Sequence, residues 1–167
     1  MTALSLARNS TKQHPLDVIE RLVSDNDWIS DRRNDQEMAV QVPGRWCDYS
    51  LFFAWNDDAG AIHFTCAFDM RVPEERRTLI YGLLALINEK MWLGHFGLWD
   101  EEGLPMFRHA LPLRGSSGPS LAQMEDLVET AIVECERFYP AFQYAIWGGK
   151  TAAEAVAAAM IDTVGEA

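Results

Sequence analysis

Residues 47–88 read CDYSLFFAWNDDAGAIHFTCAFDMRVPEERRTLIYGLLALIN, and the fold class turns on one change of period inside this stretch. Cys47, Tyr49, Leu51, Phe53 and Trp55 fall on one side of an extended chain and Asp48, Ser50 and Asn56 on the other, with Phe52 and Ala54 as apolar exceptions. Residues 56–60, Asn-Asp-Asp-Ala-Gly, form a polar hairpin loop. Beyond it Ile62, Phe64, Cys66, Phe68 and Met70 alternate with His63, Thr65 and Asp69. A period of two is that of a half-buried strand. At Val72-Pro73 the period switches. Proline followed by Glu74 and Glu75 predicts a helix opening at Pro73, because proline suits the first helical position and carboxylates its positive end. Leu79, Leu83, Leu86, Ile87 and Met91 recur at helical spacing beside Ile80 and Leu84, so this helix is expected to lie across the covered face of the sheet.

Upstream, Met38, Val40 and Val42 alternate up to the turn signal Pro43-Gly44, which makes a three-strand antiparallel meander with one buried face. Residues 28–33 read as a further short strand. A helix is expected from Pro15 to about Asn26, with Leu16, Ile19, Leu22 and Val23 on one face. Residues 1–14 are polar and aperiodic and read as a flexible lead-in to a single domain over 15–167. Downstream, residues 94–100 and 104–113 read as a two-strand hairpin joined by the acidic tip Asp100-Glu101-Glu102-Gly103. A long helix follows from near Ser120, which Pro140 either kinks or divides. Thr151 and Glu154 then form a T-x-x-E capping box for an alanine-rich last helix reaching about Val164. The order is that of an α+β fold: an antiparallel sheet made of meander, helix and hairpin, with flanking N- and C-terminal helices.

Composition narrows the function by exclusion. The chain has 167 residues, with 25 acidic against 14 basic side chains and a net charge of −11. Only Lys12, Lys90 and Lys150 are lysines. Nucleic-acid phosphate and anionic membranes both select clustered Lys and Arg, so neither is an expected partner. Cys47, Cys66 and Cys135 are odd in number and widely spaced, which reads as free thiols in a reducing cytoplasm. No segment approaches the roughly 20 apolar residues of a membrane span.

The search for chemistry finds no catalytic constellation. His14, His63, His95 and His109 form no HExxH or i, i+4 ligand pair. Gly115-Ser116-Ser117-Gly118 is neither a nucleophile elbow nor a phosphate loop. No metal, cofactor or catalytic residue is therefore expected. The tryptophans Trp28, Trp46, Trp55, Trp92, Trp99 and Trp147 are expected mostly to fill the core, with one or two anchoring an interface.

Within residues 71–111, Val72-Pro73, Arg76 and Arg77 in the next helical turn, Asn88 near the helix end, Gly94-x-Phe96 opening a strand and Arg108 in the strand after it share one order and spacing. In this the chain resembles the YbjN family of bacterial sensory transduction regulators, over roughly residues 16–147. The resemblance implies an α+β fold like that of type III secretion chaperones, which are small, acidic, cytoplasmic and often dimeric. It supplies no catalytic residues. Val72, Pro73, Arg76, Arg77, Asn88, Gly94, Phe96 and Arg108 are taken as a structural signature: Pro73 starting a helix, Asn88 bracing a helix end, Gly94 allowing a tight exit, Phe96 packing, and Arg108 pairing with a carboxylate. The leading expectation is a noncatalytic protein-binding or regulatory module, a homodimer whose association is motivated by exposed sheet edges and surplus aromatics. The alternative is a small-molecule binder or enzyme with a pocket between sheet and helix, lined by His63, His95, His109 and Arg108.

Overall fold

The first helix, α1 (Pro15–Asp25), begins where His14 takes the N-cap position and its Nδ1 accepts the Leu16 N–H at 3.2 Å. The structure is a computed structural model that describes residues 12–164. The lead-in expected over residues 1–14 falls, for residues 1–11, outside the described residues. α1 buries Leu16, Val18, Ile19, Leu22 and Val23, and Arg32 beyond it reaches back to Asp17 at 2.8 Å and Glu20 at 2.9 Å.

Four strands follow in a meander: β1 (Ile29–Arg32), β2 (Glu37–Pro43), β3 (Asp48–Asn56) and β4 (Ala61–Ala67). The meander thus has four strands where the alternating core of the sequence marks three; β1 is too short to show a period of its own. The hairpin β5 (His95–Trp99) and β6 (Leu104–Pro112) docks β6 on β4, giving one antiparallel sheet in the order β1-β2-β3-β4-β6-β5. Phe53 lies opposite Phe64, and Cys66 opposite Phe107. These residues, with Met38, Val40, Leu51 and Phe96, make the covered face and are all buried.

Between β4 and β5 the chain leaves the sheet at Val72, whose N–H donates to the Gly103 carbonyl at 2.8 Å. The helix does not open at Pro73. Pro73 keeps an extended ψ of 148°, residues Glu74–Arg76 make one 3₁₀ turn, and Arg76 at φ −101°, ψ −7° separates that turn from α2 (Arg77–Asn88). The buried stripe of α2 is Ile80, Leu83, Leu84 and Ile87, with Leu79 and Leu86 half-buried at its margins and Met91 beyond its end. Nor does α2 lie across the covered face. It packs against β5, α3 and α4. That face is crossed by α3 (Leu121–Ile146): Cys135 Sγ lies 3.7 Å from Cys66 Sγ, and the Phe142 ring meets Phe68 and Phe96.

Pro140 neither divides α3 nor leaves its turn unsatisfied. Proline has no N–H for the carbonyl four residues earlier, here that of Glu136. The indole N–H of Trp46 donates to that carbonyl at 3.2 Å, while the Trp46 ring stacks on Tyr139 and the Arg45 N–H donates to Glu136 Oε1 at 2.6 Å. The β2–β3 loop is thereby fastened to the helix at its proline. α4 (Ala152–Val164) opens on the expected capping box, with the Glu154 N–H donating to Thr151 Oγ1 and the Thr151 N–H to Glu154 Oε2. The tryptophans do not fill the core. Trp28 and Trp55 are half-buried, and Trp46, Trp92, Trp99 and Trp147 are exposed. Phenylalanines fill it instead, with Phe53, Phe64, Phe96, Phe107, Phe138 and Phe142 all buried.

Candidate functional site

Strand side chains alternate between the two faces of a sheet, so a sheet covered by helices on one side presents every second residue on the other. Buried residues of all four helices join the core on the covered side. One cross-strand row on the other side runs Asp31, Ala39, Phe52, Thr65, Arg108, His95 through all six strands. Beside it run Ile29, Gln41, Ser50, Ala67, Met106, Gly97 on one flank and Glu37, Ala54, His63, Ala110 on the other. Most of these side chains are small. Met106 is buried among them, while Ile29 is 77% exposed, Trp99 44% and Phe52 36%.

Around Arg108 the small residues leave a hollow of about 530 Å³, lined by Arg33, Phe52, Thr65, Ala67, Leu98, Trp99, Asp100, Met106 and Arg108. Arg108 has no carboxylate partner among the described residues, contrary to the expected ion pair. Its Nη2 instead lies 3.2 Å from His63 Nε2, and its Nε is buried with no hydrogen-bond partner. A guanidinium is a donor only, so His63 accepts through Nε2 and is neutral. Burial, then the nearby Arg108 and His95, hold the His63 pKa below the ordinary histidine value. The signature arginine that does find a carboxylate is Arg77, whose Nη1 is 3.0 Å from Asp100 Oδ1, an oxygen that also accepts from the Tyr81 hydroxyl at 3.2 Å.

The structure gathers the signature residues at the corner formed by the β4 exit, α2 and the β5–β6 hairpin. Val72 is buried and Pro73 precedes the 3₁₀ turn that Arg76 ends. Asn88 does more than brace a helix end. Its Oδ1 accepts the Phe96 N–H at 2.7 Å and its Nδ2 donates to the Phe96 carbonyl at 3.0 Å. These are the backbone groups that the middle of β5 turns away from β6, so the amide takes the place of a further strand on that edge. Gly94, at φ +69°, meets β6 so closely that a Cβ would lie 2.3 Å from Phe107 Cζ and 2.8 Å from the Arg108 carbonyl oxygen. Phe96 stands under it in contact with the Phe68, Phe107, Phe138 and Phe142 rings.

The histidines do not converge as the alternative reading requires. His63 and His95 flank Arg108 on the open face, but His109 lies opposite Phe64 on the covered side, where burial and then His95 lower its pKa. The phenylalanine core fills the space between the centre of the sheet and α3, and the hollow around Arg108 lies on the opposite face. Sequence alone missed Arg33, Thr65, Trp99 and Met106 as its walls. The one signal for it was Phe52, apolar and out of phase with its neighbours. Among the described residues no group of three or more His, Cys, Asp or Glu side chains is arranged to hold a metal ion, and no helix is long and apolar enough to cross a membrane.

Comparison with known proteins adds two findings. The profile of the YbjN family, described as "Putative bacterial sensory transduction regulator", matches residues 15–144. Among solved structures, that of YbjN from E. coli, described as "a putative transcription regulator", superposes with a TM-score of 0.50 at 15% identity, over 71% of this chain and 84% of that one. At that identity the likeness is one of fold. No curated protein matches.

Proposed function

The chain belongs to the YbjN family, and from that premise we propose that it is a noncatalytic regulator of bacterial signalling or stress responses that binds a protein partner through the uncovered face of its sheet. The observation that carries the reading is that face itself. Helices cover one side of a six-stranded sheet, and on the other Phe52, Trp99 and Ile29 project from a floor of small side chains and the buried Met106. Exposed aromatics set among small residues are the composition of interface anchors. The chain's net charge of −11 disfavours nucleic acid as the partner. The protein works in the cytoplasm, as a homodimer.

Photo-crosslinking in the native bacterium tests the reading, with the crosslinker placed at position 52 on the open face or at position 161 on α4. A partner captured from position 52 and not from 161 is the expected result. Absence of any crosslinked protein, together with turnover of a substrate in an activity screen, would overturn it. Light scattering that returns a monomer mass across a wide concentration range would refute the homodimer.

A further inference from the structure

We propose that the hollow around Arg108 is a binding site for a small organic carboxylate carried on an apolar or aromatic skeleton. The inference does not depend on the protein partner argued above; it rests on a guanidinium left without an anion. Arg108 comes from the middle of β6, between Thr65 on β4 and His95 on β5. Its Nε–H is buried and makes no hydrogen bond. A buried donor without a partner is rare, because it has given up water and received nothing in return. Among the described residues the one side chain within hydrogen-bond distance of it, His63, is neutral and leaves the positive charge uncompensated. The chain has 25 acidic side chains, and Arg32, Arg33, Arg71, Arg77 and Arg137 each meet one within 4 Å. Arg108 meets none within that distance among the described residues.

The surroundings say what kind of anion fits. An arginine side chain presents a planar fork of N–H groups that matches a carboxylate in two parallel hydrogen bonds. The hydroxyl-bearing Thr65 is its cross-strand neighbour, and Arg33 lines the far side. Arg33 already meets Asp31 at 3.9 Å, so among the described residues Arg108 is the one cation of the lining without an ion pair, which suits a single carboxylate rather than a phosphate dianion. The one carboxylate in the lining, Asp100, is already tied to Arg77 and Tyr81. The remaining walls are apolar: Phe52, Met106 and Trp99. The volume of about 530 Å³ is that of a site for one small molecule.

The test uses the full chain and two probes that differ only in charge, 1-naphthylacetate and its neutral analogue 1-naphthylacetamide, titrated calorimetrically. The expected result is saturable one-to-one binding of the carboxylate, roughly tenfold or more tighter than the amide, as a charge-assisted fork requires. Arg108→Gln should bring the two probes to equal affinity, and Arg33→Gln should narrow the gap by less. If Arg108→Gln fails to fold, the wild-type protein still decides: the Arg108 Nε–H resonance should shift on titration with the carboxylate and not with the amide. Absence of saturable naphthylacetate binding below millimolar concentration, equal affinity for the two probes, or a preference that survives Arg108→Gln would overturn the proposal. So would loss of both probes alongside a crosslinked protein partner whose capture requires Arg108, since the anion would then be an acidic side chain of that partner. A failure of the partner reading, with probe binding intact, would leave this site standing.

Discussion

Replacing Asn88 with alanine should unlock the outer edge of β5. Two hydrogen bonds would go, the 2.7 Å bond from the Phe96 N–H and the 3.0 Å bond to the Phe96 carbonyl. Each is worth about 1–1.5 kcal/mol in a half-buried setting, so the pair amounts to about 2–3 kcal/mol. Alanine's better helix propensity returns about 0.5 kcal/mol at most, because position 88 is the last residue of α2. For a chain of this length the net loss lowers the melting temperature by about 3–12 °C. Asn88→Asp keeps the acceptor for the Phe96 N–H but sets a carboxylate against the Phe96 carbonyl, so it should recover at most one of the two bonds. Urea unfolding supplies the stability, and amide hydrogen exchange supplies the location. Protection of the Phe96 amide should fall in Asn88→Ala by more than that of the Phe64 amide, in the central β4, which should fall only with the global stability. A variant within 0.5 kcal/mol of wild type, with Phe96 equally protected, would show that the amide is not what holds the edge.

Three further outcomes follow from the same structure. Gly94→Ala should destabilise severely, by about 3 kcal/mol or more, because its Cβ would strike Phe107 and the Arg108 carbonyl at a positive φ; Gly97→Ala, whose Cβ would meet only Arg108 Cδ at 3.9 Å, should melt within about 2 °C of wild type, and equal behaviour of the two in thermal denaturation would contradict this. Trp46→Phe should cost about 1 kcal/mol by leaving the Glu136 carbonyl open, and should cost less in a Pro140→Ala background that restores a helical donor to it; strictly additive losses in the double-mutant cycle would rule out the coupling. His63 and His109 both have folded pKa values below the ordinary 6.5, so the unfolded chain binds more protons under acid: their contribution is intact above pH 6.5 and is lost as pH falls from there towards their folded pKa values. The urea midpoint should therefore drop between pH 7.5 and 5.5, and replacing both histidines with glutamine should flatten that drop; an unchanged slope in the double variant would refute the assignment.

Much of the fold was legible because its strands are buried on one face only. Tyr49, Leu51 and Phe53, then Ile62, Phe64 and Cys66, carry a period of two that survives one out-of-phase aromatic. The same clarity failed at Pro73. A proline ahead of two glutamates signals a helix start whether an α-helix or one 3₁₀ turn follows, and the tertiary hydrogen bond from Val72 to Gly103 selects the latter. The α2 stripe was misplaced because apolar residues surround the helix: Leu79-Leu83-Leu86 and Ile80-Leu83-Leu84-Ile87 are both helical series, and only the packing of β5 and α4 separates them. The tryptophans misled for a different reason. Their size suggests a core, yet the indole N–H needs an acceptor that a phenylalanine interior lacks; Trp46 finds one on Glu136 and Trp55 finds one on Asp57, both outside it. The hollow was the least legible feature, since Thr65, Trp99 and Arg108 come from three strands and Arg33 from the β1–β2 loop, and they meet only in the register of the folded sheet.

That register also bears on how the sheet meets a partner. Association was first expected through exposed strand edges, and the structure closes off much of that route. At β5 the Asn88 amide occupies the Phe96 backbone groups that an incoming strand would need. At the opposite edge β1 is four residues long and carries Asp31 and Arg32, which blunt strand addition. The open face has no such protection. Its floor of Ala39, Ala54, Ser50 and Gly97 lets another surface approach closely, and Phe52 and Trp99 reach out from it. Binding by face and binding by edge make opposite demands on one experiment. If a partner adds a strand to β5, Asn88→Ala should strengthen its capture and Phe52→Ser should leave it unchanged. If it docks on the face, Phe52→Ser should weaken capture at least tenfold and Asn88→Ala should leave it within twofold, as expected when one buried aromatic anchors an interface.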